Sequence, residues 1–243
     1  MWFRKPKPYI EFWSTEKGID DIMPPIPALQ CLPEWFKSMP TTIKDDSVNF
    51  GVGSGSIETA KQCPAFVEMF KTAYVMRLWT DIRITINEDT SYYVESADKR
   101  FEFTNHGHRQ FTEFMPDDKK YSMILKAVSP WRVRTPKGYS VMQLPMLYHY
   151  DSRFESLSGA FHSDIHHDNS QQLGFFGYGT FEIERGTPLS MLVPFKREKI
   201  KHRVLPFTDK LYTITNRSYL WWAGRFKHGY RQHRNLAKGE NND

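Results

Sequence analysis

Cysteine is scarce in this 243-residue chain, which has two, Cys31 and Cys63. That is too few for a disulfide framework or a cysteine-based zinc site, and it fits a reducing cytoplasm. Long apolar runs are missing too: the longest are strand-sized, and none approaches the ~20 residues of a membrane helix. Met1-Trp2-Phe3-Arg4-Lys5-Pro6 lacks the apolar stretch of a signal peptide. No internal repeat and no long low-complexity tract is present. Gly51-Val52-Gly53-Ser54-Gly55-Ser56 lacks the Lys-Ser/Thr ending of a Walker loop, and its glycine spacing is incomplete for a dinucleotide fingerprint. It reads as a flexible surface loop, with Ser56 as a cap for the segment after it.

What the chain does have is aromatic residues and basic charge. It carries 18 Phe, 12 Tyr and 7 Trp. With a mean hydropathy of −0.59, that composition describes a soluble globular protein with a sizeable core. Lys and Arg number 33 against 28 Asp and Glu, a net charge of +5. The excess gathers at Arg4-Lys5-Lys7 and from Lys196 onward, and it favours anionic partners: nucleotides, nucleic acid or an acidic protein surface.

Residues 1–73 read as a Pro-rich, aromatic wrapping arm with one short helix. Tyr9 to Trp13 suits a strand, Pro24-Pro25-Ile26-Pro27 is extended, and Pro33 to Lys37 suits a single helical turn led by proline. From Pro64, Phe66, Met69, Phe70 and Ala73 recur at helical spacing. Strand grammar starts at Tyr74. Ile82, Ile84 and Ile86 alternate with polar residues, Asn87 to Thr90 turns, and Tyr92 to Glu95 returns as a hairpin arm. Phe101 and Phe103, Met123 to Val128, and Trp131 with Val133 supply further strands. Lys199 to Leu205 reads as a last strand. Thr208 caps a basic, aromatic helix that runs through Leu211, Ile214, Trp221, Trp222 and Tyr230. Residues 74–205 form the core on this reading, and 206–243 the helix and tail. Many short strands separated by polar turns give a mainly β barrel or sandwich.

The segment from Thr135 to Arg197 is the most informative. Pro136-Lys137-Gly138 makes a tight turn, Tyr139 to Leu144 runs extended up to Pro145, and Gly159 to Ile165 forms an acidic loop. Phe181 and Ile183 then alternate with Glu182 and Glu184. Arg185-Gly186-Thr187-Pro188 turns again, and Leu189 to Val193 is a strand ending at Pro194. In this order the segment resembles the core of the dUTPase and dCTP deaminase superfamily, a β-clip fold. The whole chain also resembles a family found in T4-like marine phages.

The superfamily resemblance implies a homotrimer with shared sites, and a nucleotide site beside the acidic loop that uses Mg²⁺ when nucleotide is processed. His162 and Asp164 are the catalytic candidates on this basis. Tyr139, Gln143, His166, Arg185 and Thr187 are the ligand-binding candidates. The departures point away from hydrolysis. His162 stands where the family's water-activating Asp belongs, and Ile165 replaces the Tyr that stacks on the sugar. Met146-Leu147 replaces an Arg-Ser phosphate contact, and no Gly-rich arm follows Arg197.

Three readings therefore compete. In the first, a neutral His162 acts as a base beside Asp164, so that the chain is a rewired nucleotide hydrolase or deaminase. In the second, His162-Ser163-Asp164 with His202 or His228, or His106-Gly107-His108 with Glu113, holds a metal for cupin-type oxygenase chemistry. With nine histidines in the chain such pairs arise by coincidence. The third needs no chemistry: a phage-type, dUTPase-related binding or assembly protein of the host cytoplasm or virion. It would have no resident metal or cofactor and no membrane association, and a nucleotide or phage structural protein would be its partner. The substituted motif residues favour the third.

Overall fold

The computed structural model describes residues 8–18, 23–44, 56–105, 110–116 and 121–213. In chain order these form strands β1 (Glu11–Ser14) and β2 (Ile26–Pro27), helix α1 (Glu34–Ser38), strands β3 (Thr42–Lys44) and β4 (Ser56–Glu58), and helix α2 (Pro64–Thr72). Then follow β5 (Tyr74–Arg77), β6 (Ile82–Ile86), β7 (Tyr92–Ser96), β8 (Phe103–Asn105), β9 (Met123–Ala127) and β10 (Trp131–Arg134). The last strands are β11 (Tyr139–Leu144), β12 (Phe154–Ser156), β13 (Gly159–Phe161), β14 (Gln171–Phe175), β15 (Gly179–Ile183) and β16 (Pro188–Lys196). The fold is mainly β with open sheets and few helices, as the strand grammar predicts. No helix among the described residues is long and apolar enough to cross a membrane.

Contacts group the chain into two units: Met1–Cys31 with Thr72–Glu198, and Leu32–Lys71 with Lys199–Asp243. The first unit holds most of the sheets. A five-stranded sheet runs β13-β11-β16-β5-β2, a four-stranded one β12-β14-β9-β8, a three-stranded one β15-β6-β7, and β1 pairs with β10. All of these pairings are antiparallel, so each strand can bury one face and leave the other polar. β6 shows the pattern plainly: Ile82, Ile84 and Ile86 are buried while Arg83 between them is exposed. Its hairpin with β7 closes through Asp89, whose carboxylate accepts the Ser91 backbone N–H at 2.9 Å. The inward faces meet in one core that includes Ile84, Leu125, Val141, Phe175 and Leu192.

The second unit contains α1, α2 and the β3–β4 hairpin. Phe36 and Phe66 stack with ring centroids 4.8 Å apart, and Phe66 meets Phe70 at 6.2 Å. Phe66 and Phe70 sit at helical spacing on α2, so one face of a short helix carries the packing. Lys61 donates to the carbonyls of Lys37 (2.7 Å) and Met39 (3.0 Å), which satisfies acceptors at the end of α1. Thr208 caps the helical turn at residues 209–213, its hydroxyl accepting the Leu211 backbone N–H at 3.2 Å.

Three local expectations are corrected. Ser56 opens strand β4 and caps no helix. Residues 199–205 form no strand and lie exposed, because periodicity alone cannot make a strand where no neighbour pairs with it. β16 does not end at Pro194 but continues to Lys196 along β11, with Pro194 opposite Val141. β5 begins at Tyr74, opposite Leu192. Beyond that point no described strand pairs with the other edge of β16, so a residue lacking an N–H is tolerated there. The Gly51 to Gly55 loop, His106-Gly107-His108, Ile214, Trp221, Trp222, His228 and Tyr230 lie outside the described residues.

Candidate functional site

The turn before β11 is the nucleus of the site. Gly138 has φ +85°, a conformation open to glycine at little cost, and the Tyr139 N–H closes the turn on Pro136 O at 3.0 Å. β11 then runs antiparallel to β16 with Tyr139 opposite Lys196, which delivers Arg197 back beside the turn. The Arg197 backbone N–H donates to Gly138 O at 2.8 Å. The loop after β13 folds onto the same place.

The side chains of that loop are stitched to the turn and to the strands on either side of it. Asp164 Oδ2 accepts the Gly138 backbone N–H at 2.9 Å, and the Arg197 guanidinium grips both carboxylate oxygens, the Oδ1 bond being 2.8 Å. The Asp164 side chain is 5% exposed. The Gly138 N–H first, and then Arg197, hold its carboxyl below the ordinary Asp range. Buried Ser163 bonds the Thr135 hydroxyl at 2.7 Å. His167 Nδ1 lies 3.0 Å from Ser163 O and 3.2 Å from Val133 O. Both partners are carbonyls, so Nδ1 carries the proton. Asp168 accepts the Ser170 hydroxyl at 2.9 Å.

His162 is exposed, and its Nδ1 lies 2.9 Å from Ser140 Oγ. Ser140 is fully buried, and its oxygen also accepts from Arg197 at 3.3 Å. A guanidinium can only donate, so the Ser140 oxygen is the acceptor in that bond. The Nδ1 of His162 is thus engaged by Ser140, whichever of the two donates. His162, Ser140, Arg197, Asp164 and Gly138 thus form one closed chain of donors and acceptors.

Outside this chain lies an open groove of about 800 Å³ lined by Tyr9, Glu11, Arg134, Lys137, Asp164, Ile165 and Arg197, among others. Glu11 and Arg134 face each other across β1 and β10 and are ion-paired, and Arg134 also lies over the Trp13 ring at 5.8 Å. Three cations in the lining meet two carboxylates. With two of the cations paired, Lys137 has no ion-pair partner among the described residues. Tyr9 (68% exposed) and Ile165 (74%) form apolar lips.

The remaining candidates divide. Tyr139 sits at the groove end of β11, and His166 is exposed on the stitched loop. Gln143 is buried, its amide donating to Ser156 Oγ at 3.0 Å and Leu157 O at 3.1 Å, so it braces strands. Arg185 and Thr187 precede β16, about 27 Å of strand away from Arg197 at ~3.4 Å per residue. Within one chain they belong to a different place from His162 and Asp164. Glu113 and His202 fall in no group of three or more His, Cys, Asp or Glu side chains among the described residues.

No protein-family model and no curated protein matches the sequence. Among solved structures, the dUTPase of EIAV is similar over 57% of this chain and 84% of its own, with 7% identity and a TM-score of 0.32. A mutant dUTPase from phage phi11 of S. aureus is similar over 56% and 84%, with 10% identity and a TM-score of 0.32. A mutant dUTPase from Staphylococcus bacteriophage 80alpha is similar over 46% and 99%, with 10% identity and a TM-score of 0.28. At such identities and TM-scores the match carries no argument about ligand or chemistry.

Sequence reasoning missed Ser140, Arg197, Lys137 and Tyr9 as members of one site. Ser140 and Arg197 lie 57 positions apart and are joined only by the register of β11 on β16. The available signal was the Pro-Lys-Gly turn itself, which needs an anchor for its exposed amide.

Proposed function

We propose that the chain is a dUTPase-related, phage-type binding protein that holds an anionic nucleotide in the Tyr9–Lys137 groove and does not hydrolyse it. The observation that carries this reading is the closed chain from His162 to Gly138. A general base needs a free lone pair within reach of its water. The His162 Nδ1 is engaged by Ser140, and the Asp164 carboxylate by Arg197 and Gly138. A carboxylate so held is a poor Mg²⁺ ligand, since metal binding would strand the Arg197 charge. Lys137 supplies an uncommitted ammonium for phosphate, and Tyr9 offers a ring face for a base.

Exposed aromatics on the same unit, Phe114 (81%) and Tyr93 (65%), favour a second reading in which the protein also assembles, as a trimer or on a phage particle in the host cytoplasm or virion. Calorimetric titration with dUMP, dUTP and dCTP tests the groove. Saturable binding is expected, weakened about tenfold or more by Lys137→Ala and by raised salt. Equal affinity in Lys137→Ala contradicts the groove. Mass photometry of the same sample reads the assembly state, and a monomer at micromolar concentration contradicts the second reading.

A further inference from the structure

A small, partly enclosed cavity lies in the first unit, away from the groove. Arg77 and Trp79 at the end of β5, Trp131 on β10, Gln171 on β14 and Leu189 on β16 share its lining. Its free space is about 10 Å³ for the centre of a water-sized sphere, enough for one atom-sized guest. Trp79 is 6% exposed and Trp131 5%. Both indole nitrogens are buried without a hydrogen-bond partner, and so is Arg77 Nε.

All three groups are donors and none can accept. Unpaired buried donors are rare because they lose water and gain nothing in return. Three of them belong to residues that line one cavity. Two side-chain acceptors of the lining are engaged: Gln171 Oε1 takes the Ser190 hydroxyl, and Ser129 Oγ takes the Trp131 backbone N–H at 3.1 Å. The guanidinium of half-buried Arg77 carries a positive charge as well. Arg77 bonds the Pro24 carbonyl at 3.0 Å, and no carboxylate among the described residues pairs with it.

We infer that this cavity is a binding site for a single halide ion, held by the Trp79 and Trp131 indole N–H groups and by Arg77 Nε–H. A halide is one atom in size, accepts from every side and answers the guanidinium charge. Water brings two protons that themselves need acceptors, and the engaged lining offers them poorly. Because the lining draws on β5, β10, β14 and β16, the ion ties three of the sheets together at their meeting point.

The test compares unfolding midpoints of the full chain in sodium bromide and in sodium gluconate, whose anion is too large for the cavity, at equal and modest ionic strength. Crystals soaked in bromide are measured at its absorption edge in parallel. The expected result is an anomalous peak between the two indoles and a midpoint higher in bromide. The rise is roughly 2–4 °C once bromide exceeds its dissociation constant about fivefold. The increment should vanish in Trp79→Phe/Trp131→Phe, which keeps aromatic rings in place and removes the donors. Should that double variant fail to fold, the bromide increment is compared between wild type and Trp131→Phe alone, where it should shrink. Equal midpoints in the two salts overturn the proposal, as does density for a water without anomalous signal. A bromide peak with equal midpoints, an adventitious ion only, overturns it too.

Discussion

The two ends of β16 handle polar groups in opposite ways. At its C-terminal end Arg197 closes on Asp164 and Ser140, and Ser140 in turn bonds His162. At the other end, by Leu189, Trp79, Trp131 and Arg77 line a cavity, and their indole and Nε nitrogens have no partner among the described residues. The difference separates framework from site. A cluster whose polar groups bond one another makes a rigid support. One with unpartnered donors still needs a guest.

The largest expected effect comes from the stretch that both ends share. Met191 is fully buried in β16, and Met191→Ala should cost about 2–5 kcal/mol in denaturant unfolding through lost contacts and a residual cavity. A loss below about 1 kcal/mol would mean that the two ends are not held by a common core. Next is Ser190→Ala, which removes the donor to Gln171 Oε1 in a buried pair. An unsatisfied carbonyl there should cost about 1–3 kcal/mol. A neutral result would show that Gln171 finds another donor, and that the cavity wall it helps to form can rearrange.

A smaller effect is expected from Asp164→Asn, and its signature is pH. The Asp164 carboxyl is held below its ordinary range in the folded protein, so the folded state binds that proton less readily than the unfolded chain does. Its contribution is present above about pH 4, the unfolded value, and is lost as pH falls through the lower folded value. The wild-type unfolding midpoint should therefore fall more steeply with acid than that of Asp164→Asn below about pH 4. Parallel curves would mean that the Arg197 grip is absent in solution.

Much of this was legible in the sequence where the signal is local. The alternation of Ile82, Ile84 and Ile86, the Asn87 to Thr90 turn and the Tyr139 to Leu144 strand come from side-chain period and turn chemistry, and the structure has them. Pro194 misled because its lost N–H matters only if a strand lies on that edge, which depends on where β5 begins. Residues 199–205 misled for the converse reason, an apparent pattern with no neighbour. His162 and Asp164 were legible as a pair, but their roles were not. Those depend on Ser140 and Arg197, which long-range pairing alone brings near. The indole cavity had no sequence signal, since Trp79 and Trp131 are 52 positions apart and each reads as ordinary core.

The most direct test of the central claim is to incubate the protein with dUTP or dCTP and Mg²⁺ and follow pyrophosphate and ammonia release. Saturable binding with neither product released is the predicted result. Steady turnover that is abolished by His162→Ala or Asp164→Asn would contradict it, because it would show that the closed chain opens to water.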